Sequence, residues 1–274
     1  MERKGLLASA VRGREEQRGR KRLLATTLLG ISLLALATCA CGADTTAGTN
    51  HGESSSPGGL PQGGERVRLD PADFTTRIDN PYWPMAPGNK WVYKETDEGE
   101  QYDVEVTVTD RTKTIANGVE ARVVHDVVSQ DGQPVEVTDD WYAQDNAGNV
   151  WYMGEDTAEY ENGRVTSRAG SFEAGVDGAQ AGIIMPADPR DGMAYRQEYY
   201  RGEAEDRAEV LSTQEQVEVP FGHFENALLT KDLVPTEPKV SEYKLYAKNV
   251  GPVLAVQTSG GGSREALISY TSGG

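Results

Sequence analysis

Three histidines, two cysteines and 43 Asp/Glu side chains are the places where this 274-residue chain could perform nucleophilic, acid–base or metal chemistry. His51 stands in a Gly/Ser/Thr-rich stretch, His125 in the run Ala121-Arg122-Val123-Val124-His125-Asp126-Val127, and His223 in Pro220-Phe221-Gly222-His223. Neither of the last two accompanies a Gly-x-Ser-x-Gly, Ser-x-x-Lys or His-Glu-x-x-His spacing. The sequence therefore marks no nucleophile beside a base and no pair of zinc ligands. For a carboxylate-dependent hydrolase the nearest candidate pairs are Asp139/Asp140 and Glu155/Asp156. Successive side chains on a strand point to opposite faces, which argues against either as a working pair. Oxygen ligands also gather at Asp139, Asp140, Asp145, Asn146 and Asn149, but Gly148 and the acids do not match the calcium-loop spacing, and turn formation accounts for Asp145, Asn146 and Asn149. No catalytic residue, metal or cofactor is expected.

Aromatic residues carry the sharper signal. All four tryptophans, Trp83, Trp91, Trp141 and Trp151, fall within residues 83–151, each within two positions of a tyrosine. If Val135, Val137, Asp139 and Trp141 share a face, Asp139 projects among apolar groups, where it either pairs with Arg122 or Arg196 or lines a wet cavity. Asp139, Trp141, Trp151 and Tyr152 are therefore the candidate ligand-binding residues, suited to a sugar or a small amphiphile. The competing reading is a filled core with Asp139 turned outward at a bulge.

The elements that would position these residues are strands. Tyr102, Val104, Val106 and Val108 alternate with Asp103, Glu105 and Thr107, the pattern of a half-buried strand. Similar alternation recurs at 90–95, 119–129, 134–144, 150–155, 193–200, 205–212, 215–220, 227–234, 240–247, 253–258 and 265–270. Asn117-Gly118, Asp131-Gly132 and Asn162-Gly163 predict tight primed hairpins, and residues 145–149 a type I turn closed by a glycine bulge. The Gly/Pro-rich interval 170–192, with Ile183-Ile184-Met185 at its centre, is expected as a lid, an Ω-loop or a binding element, packing its apolar knot over an open end of the sheet. The fold expected is all-β: one antiparallel domain of about ten to twelve strands, as a curved open sheet, barrel or sandwich.

What precedes that domain is an address. A basic stretch ending Gly19-Arg20-Lys21-Arg22 runs into about 15 uncharged, mostly apolar residues, shorter than a membrane span and suited to a signal peptide. Residues 1–40 hold eight of the 27 Lys/Arg and three of the 43 Asp/Glu, leaving 19 basic against 40 acidic side chains from residue 41 onward. That surplus repels phosphate backbones, so no nucleic-acid partner is expected. The stretch Leu36-Ala37-Thr38-Cys39-Ala40-Cys41-Gly42 resembles the lipobox of bacterial lipoproteins. Cys41, with Ala before it, is preferred as the diacylglycerol-bearing residue, and Cys39, with Leu three places before it, is the alternative register. The resulting organisation is a lipoprotein signal peptide at 1–40, a lipidated disordered tether at 41–65 and a β-rich extracytoplasmic domain at 66–274.

Three further stretches resemble a group of actinobacterial secreted lipoproteins of uncharacterised activity. They are Asn80-Pro81-Tyr82-Trp83-Pro84-Met85-Ala86-Pro87-Gly88-Asn89-Lys90-Trp91-Val92-Tyr93; Asp140-Trp141-Tyr142-Ala143-Gln144-Asp145 with 148–155; and Val219-Pro220-Phe221-Gly222-His223-Phe224 with 246–253. The resemblance implies an exported, β-rich, single-domain lipoprotein and transfers no catalytic position. The expectation is a non-catalytic binding or envelope-interaction module, membrane-bound through its lipid on the extracytoplasmic face. The alternatives are a carboxylate-dependent hydrolase and a structural envelope-assembly protein whose acidic surface docks a basic partner.

Overall fold

The computed structural model describes residues 59–273 apart from 236, 237, 239 and 259–261, so the expected signal peptide, both cysteines and most of the expected tether lie outside the described residues. A 3₁₀ turn at Pro71–Asp73, capped by the Asp70 carboxylate, leads into strand β1 (Phe74–Thr75). A first meander follows: β2 (Lys90–Asp97), β3 (Glu100–Thr114), β4 (Glu120–Gln130), β5 (Gln133–Asp145) and β6 (Val150–Glu161). Short strands come next, β7 (Arg164–Ser167), β8 (Phe172–Glu173), β9 (Gln180–Met185), β10 (Ala194–Arg196) and β11 (Glu198–Tyr199). A second meander completes the chain: β12 (Arg207–Val219), β13 (Gly222–Leu233), β14 (Ser241–Ala247), β15 (Gly251–Gln257) and β16 (Ser263–Thr271).

All sixteen strands belong to one antiparallel sheet, running from β12 through β16 to β2, on to β6, β9 and β11, with β10 on the free side of β12. Because β10 and β11 are consecutive in the chain, separated by Gln197 alone, the two edges meet there and the sheet nearly closes into a barrel. Closure pairs what would otherwise be exposed strand edges. The all-β, barrel-like expectation holds, with more strands than expected.

The interval 170–192 supplies part of that excess and is a correction to the expected lid. It contributes β8 and β9, and Ile183, Ile184 and Met185 lie fully buried in the barrel wall with Ile183 opposite Trp151. A run apolar at every position suits a strand covered on both sides. Gly182 makes the seam possible, since a Cβ there would come within 2.3 Å of the Gln197 backbone. Residues 205–212 and 215–220 merge instead into the single bulged strand β12.

The turns follow their residue types. Asp131-Gly132 (φ 52° and 74°) and Asn162-Gly163 (φ 51° and 73°) have the paired positive φ of primed hairpins. Residues 145–149 form the glycine-bulge turn, with Gly148 N–H on the Asp145 carbonyl at 2.9 Å. Asn117-Gly118 differs: only Gly118 has positive φ, and its N–H bonds to the Ile115 carbonyl at 2.7 Å, the longer bulged form. Residues 59–65, the end of the expected tether, lie along the seam, where the Pro61 carbonyl accepts from Arg196 N–H at 2.6 Å and the Arg196 guanidinium donates to the carbonyls of Gly63, Glu65 and Ala181.

Candidate functional site

The four residues singled out by sequence divide between the two faces of the wall. Asp139 points outward, where Arg111 donates to it twice, at 2.9 and 2.8 Å, and His125 Nδ1 lies at 2.7 Å. Arg111 and His125, rather than Arg122 or Arg196, are thus its partners. Partial burial works to raise its pKa, but the hydrogen bonds from Arg111 and His125 outweigh that and hold the carboxyl below its ordinary range. Trp141 shares the outer face, with the Lys113 ammonium 4.4 Å above its ring. Trp151 donates from Nε1 to Asp145 Oδ2 at 2.8 Å and is covered edge-on by Phe74 at 6.0 Å. Only Tyr152 faces the interior. There it stacks on Tyr142, with ring centroids 5.1 Å apart, and its hydroxyl lies 2.9 Å from both Asp140 Oδ1 and Glu155 Oε2.

At one mouth of the barrel the aromatics converge. Asn80 staples the segment across this mouth: its side chain donates to the carbonyls of Gly148 and Pro186 at 3.1 and 3.0 Å, its own N–H is held by Gln144 Oε1 at 3.0 Å, and its Oδ1 accepts from Tyr82 N–H at 2.9 Å. Thus fixed, Trp83 enters between Tyr142 and Tyr246, at centroid separations of 6.0 and 5.7 Å. Beside it Trp83, Pro84, Met85, Trp91, Tyr93, Val106 and Pro252 line a small apolar pocket, about 20 Å³ in cavity volume and partly open to solvent. Trp91 Nε1 is satisfied by the Val250 carbonyl at 2.7 Å and the Tyr93 hydroxyl by the Pro252 carbonyl at 3.1 Å. Trp83 Nε1 is buried and has no acceptor among the described residues. Indole N–H groups usually find a partner when buried, so this one stands out.

One pleat deeper the lining changes from aromatic to acidic. Glu95, Asp126, Asp140, Glu155, Glu198, Asp232, Glu242 and Glu265 are all buried, and the cations buried with them are Lys244 and Arg196. Lys244 bridges Asp232 at 2.8 Å and Glu242 at 3.0 Å, while Arg196 faces the backbone carbonyls named above. Burial pushes Asp126 up to about 7; burial, with Asp97 and Glu242 adding to it, pushes Glu95 up to about 8. Asp140 and Glu155, opposite each other on β5 and β6, are driven well above the carboxylate range by burial, and Glu155 is raised further by Asp140.

Sequence reasoning missed this belt because it took polar residues on alternating strands to be solvent-facing. In β14 it is Glu242, Lys244 and Tyr246 that point inward and Tyr243 and Leu245 that point out. The available signal was parity: Trp91-x-Tyr93-x-Glu95, Asp140-x-Tyr142 and Lys244-x-Tyr246 each place a charged group in step with a buried aromatic. Chemically, the mouth offers apolar and aromatic surface alone, with the Trp83 N–H sealed behind it, whereas the belt holds buried carboxyls, two of them beside the stacked Tyr142 and Tyr152.

No protein-family model and no curated protein matches the sequence. Two solved structures are similar to it. One is described as a "putative exported protein with YmcC-like fold" from Bacteroides fragilis NCTC 9343, with 17% identity and a TM-score of 0.39, the match covering 70% of this chain and 99% of that one. The other is described as a "putative lipoprotein" from Parabacteroides distasonis ATCC 8503, with 15% identity and a TM-score of 0.37, again covering 70% of this chain and 99% of that one.

Proposed function

We propose that the chain is an extracytoplasmic lipoprotein, anchored by diacylglycerol on Cys41 (or Cys39 in the alternative register), whose barrel is a non-catalytic binding module. Its ligand is a small amphiphile whose apolar end is seated against Trp83, Met85, Trp91 and Tyr93 and whose polar end stays in solvent. The observation that carries this reading is the small pocket, open to solvent and lined wholly by apolar and aromatic groups, between Trp83, Met85, Trp91 and Tyr93. The competing hydrolase reading draws on Asp139/Asp140 and Glu155/Asp156, but each pair is split between the two faces of the wall: Asp139 and Asp156 pair outward with Arg111 and Arg168, while Asp140 and Glu155 are buried beside Tyr152.

The test is native mass spectrometry of the mature protein extracted from its own host. A loaded species is expected, and Val106→Phe, which fills the pocket with a larger side chain, should weaken retention at least about tenfold. An unloaded wild type, or equal loading of the variant, overturns the assignment. Separately, globomycin treatment should accumulate a larger precursor if the cysteine is acylated.

A further inference from the structure

The seam is the thinnest part of the barrel wall. β10 holds β12 through three residue pairs and β11 holds β9 through two, whereas β3 and β4 pair along most of their length. Glu198 lies in β11 at this seam, 2% exposed, and neither carboxyl oxygen has a hydrogen-bond partner among the described residues. Facing it from β6 is Glu155, which belongs to the Asp140–Tyr152–Glu155 group. The geometry of that group fixes its proton count. Tyr152 carries one hydroxyl hydrogen and lies 2.9 Å from a carboxyl oxygen on each side, so it can donate to only one of them. The other contact is attractive only if that carboxyl is itself protonated and donates to the phenol oxygen. In the closed barrel the pair therefore holds at least one proton.

We infer that Asp140, Glu155 and Glu198 form a proton-dependent latch on the seam: protonated, they let β10 and β11 dock, and once ionised they repel across it and release the strap. The charged surroundings offer little relief. Asp126 from β4 and Glu136 and Asp139 from β5 add negative charge around the pair, and the Tyr142 hydroxyl beside it has no partner among the described residues. Asp206, after β11, faces Glu198 with the same sign. Lys244 from β14 acts on Glu198 through its charge, but its ammonium already bridges Asp232 and Glu242. Burial raises Glu198 to about 7 despite Lys244, and raises Asp140 and Glu155 well above the usual range. Because the closed state binds more protons than the open one, opening is disfavoured at low pH. It becomes easier as pH climbs from the ordinary carboxylate range through about 7.

Amide hydrogen exchange of the whole protein at pH 5, 6 and 7, corrected for intrinsic rates, tests this. The opening constant at the amides that pair β10 with β12 and β11 with β9 should rise about tenfold per pH unit for each proton released, while amides in the middle of β3 and β4 stay protected. In Glu198→Gln, and independently in Glu155→Gln, the slope at the seam should fall by one proton's worth. A pH-independent seam in the wild type, equal slopes at the seam and in β3–β4, or unchanged slopes in both Gln variants would each overturn the latch. The wild-type profile decides the matter even if one variant fails to fold.

Discussion

Asp139 and Asp140 are neighbours in the chain, yet they occupy two different chemical worlds on either side of the β4–β6 wall. On the outer face Asp139 is gripped by Arg111 and His125 and held in its ionised form. On the inner face Asp140 meets Glu155 and a tyrosine hydroxyl, and burial drives it toward the neutral form. Asp156, next to Glu155, repeats the contrast by turning outward to Arg168 at 2.6 Å. The same residue type is thus an ion on one side of a pleat and an acid on the other. What differs is access to water and to a cation, not the side chain.

The comparison can be pressed hardest at the cations. Lys244→Met leaves Asp232 and Glu242 buried without a counter-charge and should cost about 3–5 kcal/mol in urea unfolding at pH 7. Arg111→Met on the outer face leaves Asp139 partly solvated and should cost at most about 1 kcal/mol. Equal losses would erase the distinction between the faces. The next largest effect concerns the carboxyls themselves. Asp126, raised to about 7 with both oxygens buried and unpartnered, destabilises the folded state once it must ionise. Asp126→Asn should therefore stabilise by about 3–4 kcal/mol at pH 8.5, a gain that shrinks as pH falls below about 7 and vanishes only near pH 4, read from denaturation midpoints. Stability of the wild type should run the same way. Folded pKa values lifted to about 7 and about 8 keep protons that the unfolded chain releases near 4, so the melting temperature should be several degrees higher at pH 5.5 than at pH 8.5. The smallest effect has the opposite sign. Asp139→Asn should destabilise by about 0.5–1 kcal/mol at pH 7. Because the Asp139 pKa is lowered in the fold, that difference should vanish as pH falls through it.

Much of the wall was legible. The face formed by Val104, Val106 and Val108 is buried as its alternation implies, and the Asp-Gly and Asn-Gly hairpins adopt the left-handed φ values those residues tolerate. The mouth was half legible: clustered Trp and Tyr pointed to residues 83–151, but not to the fact that Trp83 would enter the interior while Trp151 stayed on the outer wall under Phe74. The belt was missed because Val135 and Val137 looked like the buried face of β5, whereas Thr138, Asp140 and Tyr142 are the residues that point inward.

The order of side chains along each strand, the positions of its tight turns and the basic-apolar-cysteine leader are properties of the sequence, since they depend only on neighbours a few residues apart. Which parity faces inward was settled by the tertiary structure. Strands far apart in the chain, β2 against β16, had to meet before the sheet could curl. Only that curvature decided which carboxyls would lose water and share protons with one another, because desolvation belongs to the enclosed volume and not to any single segment.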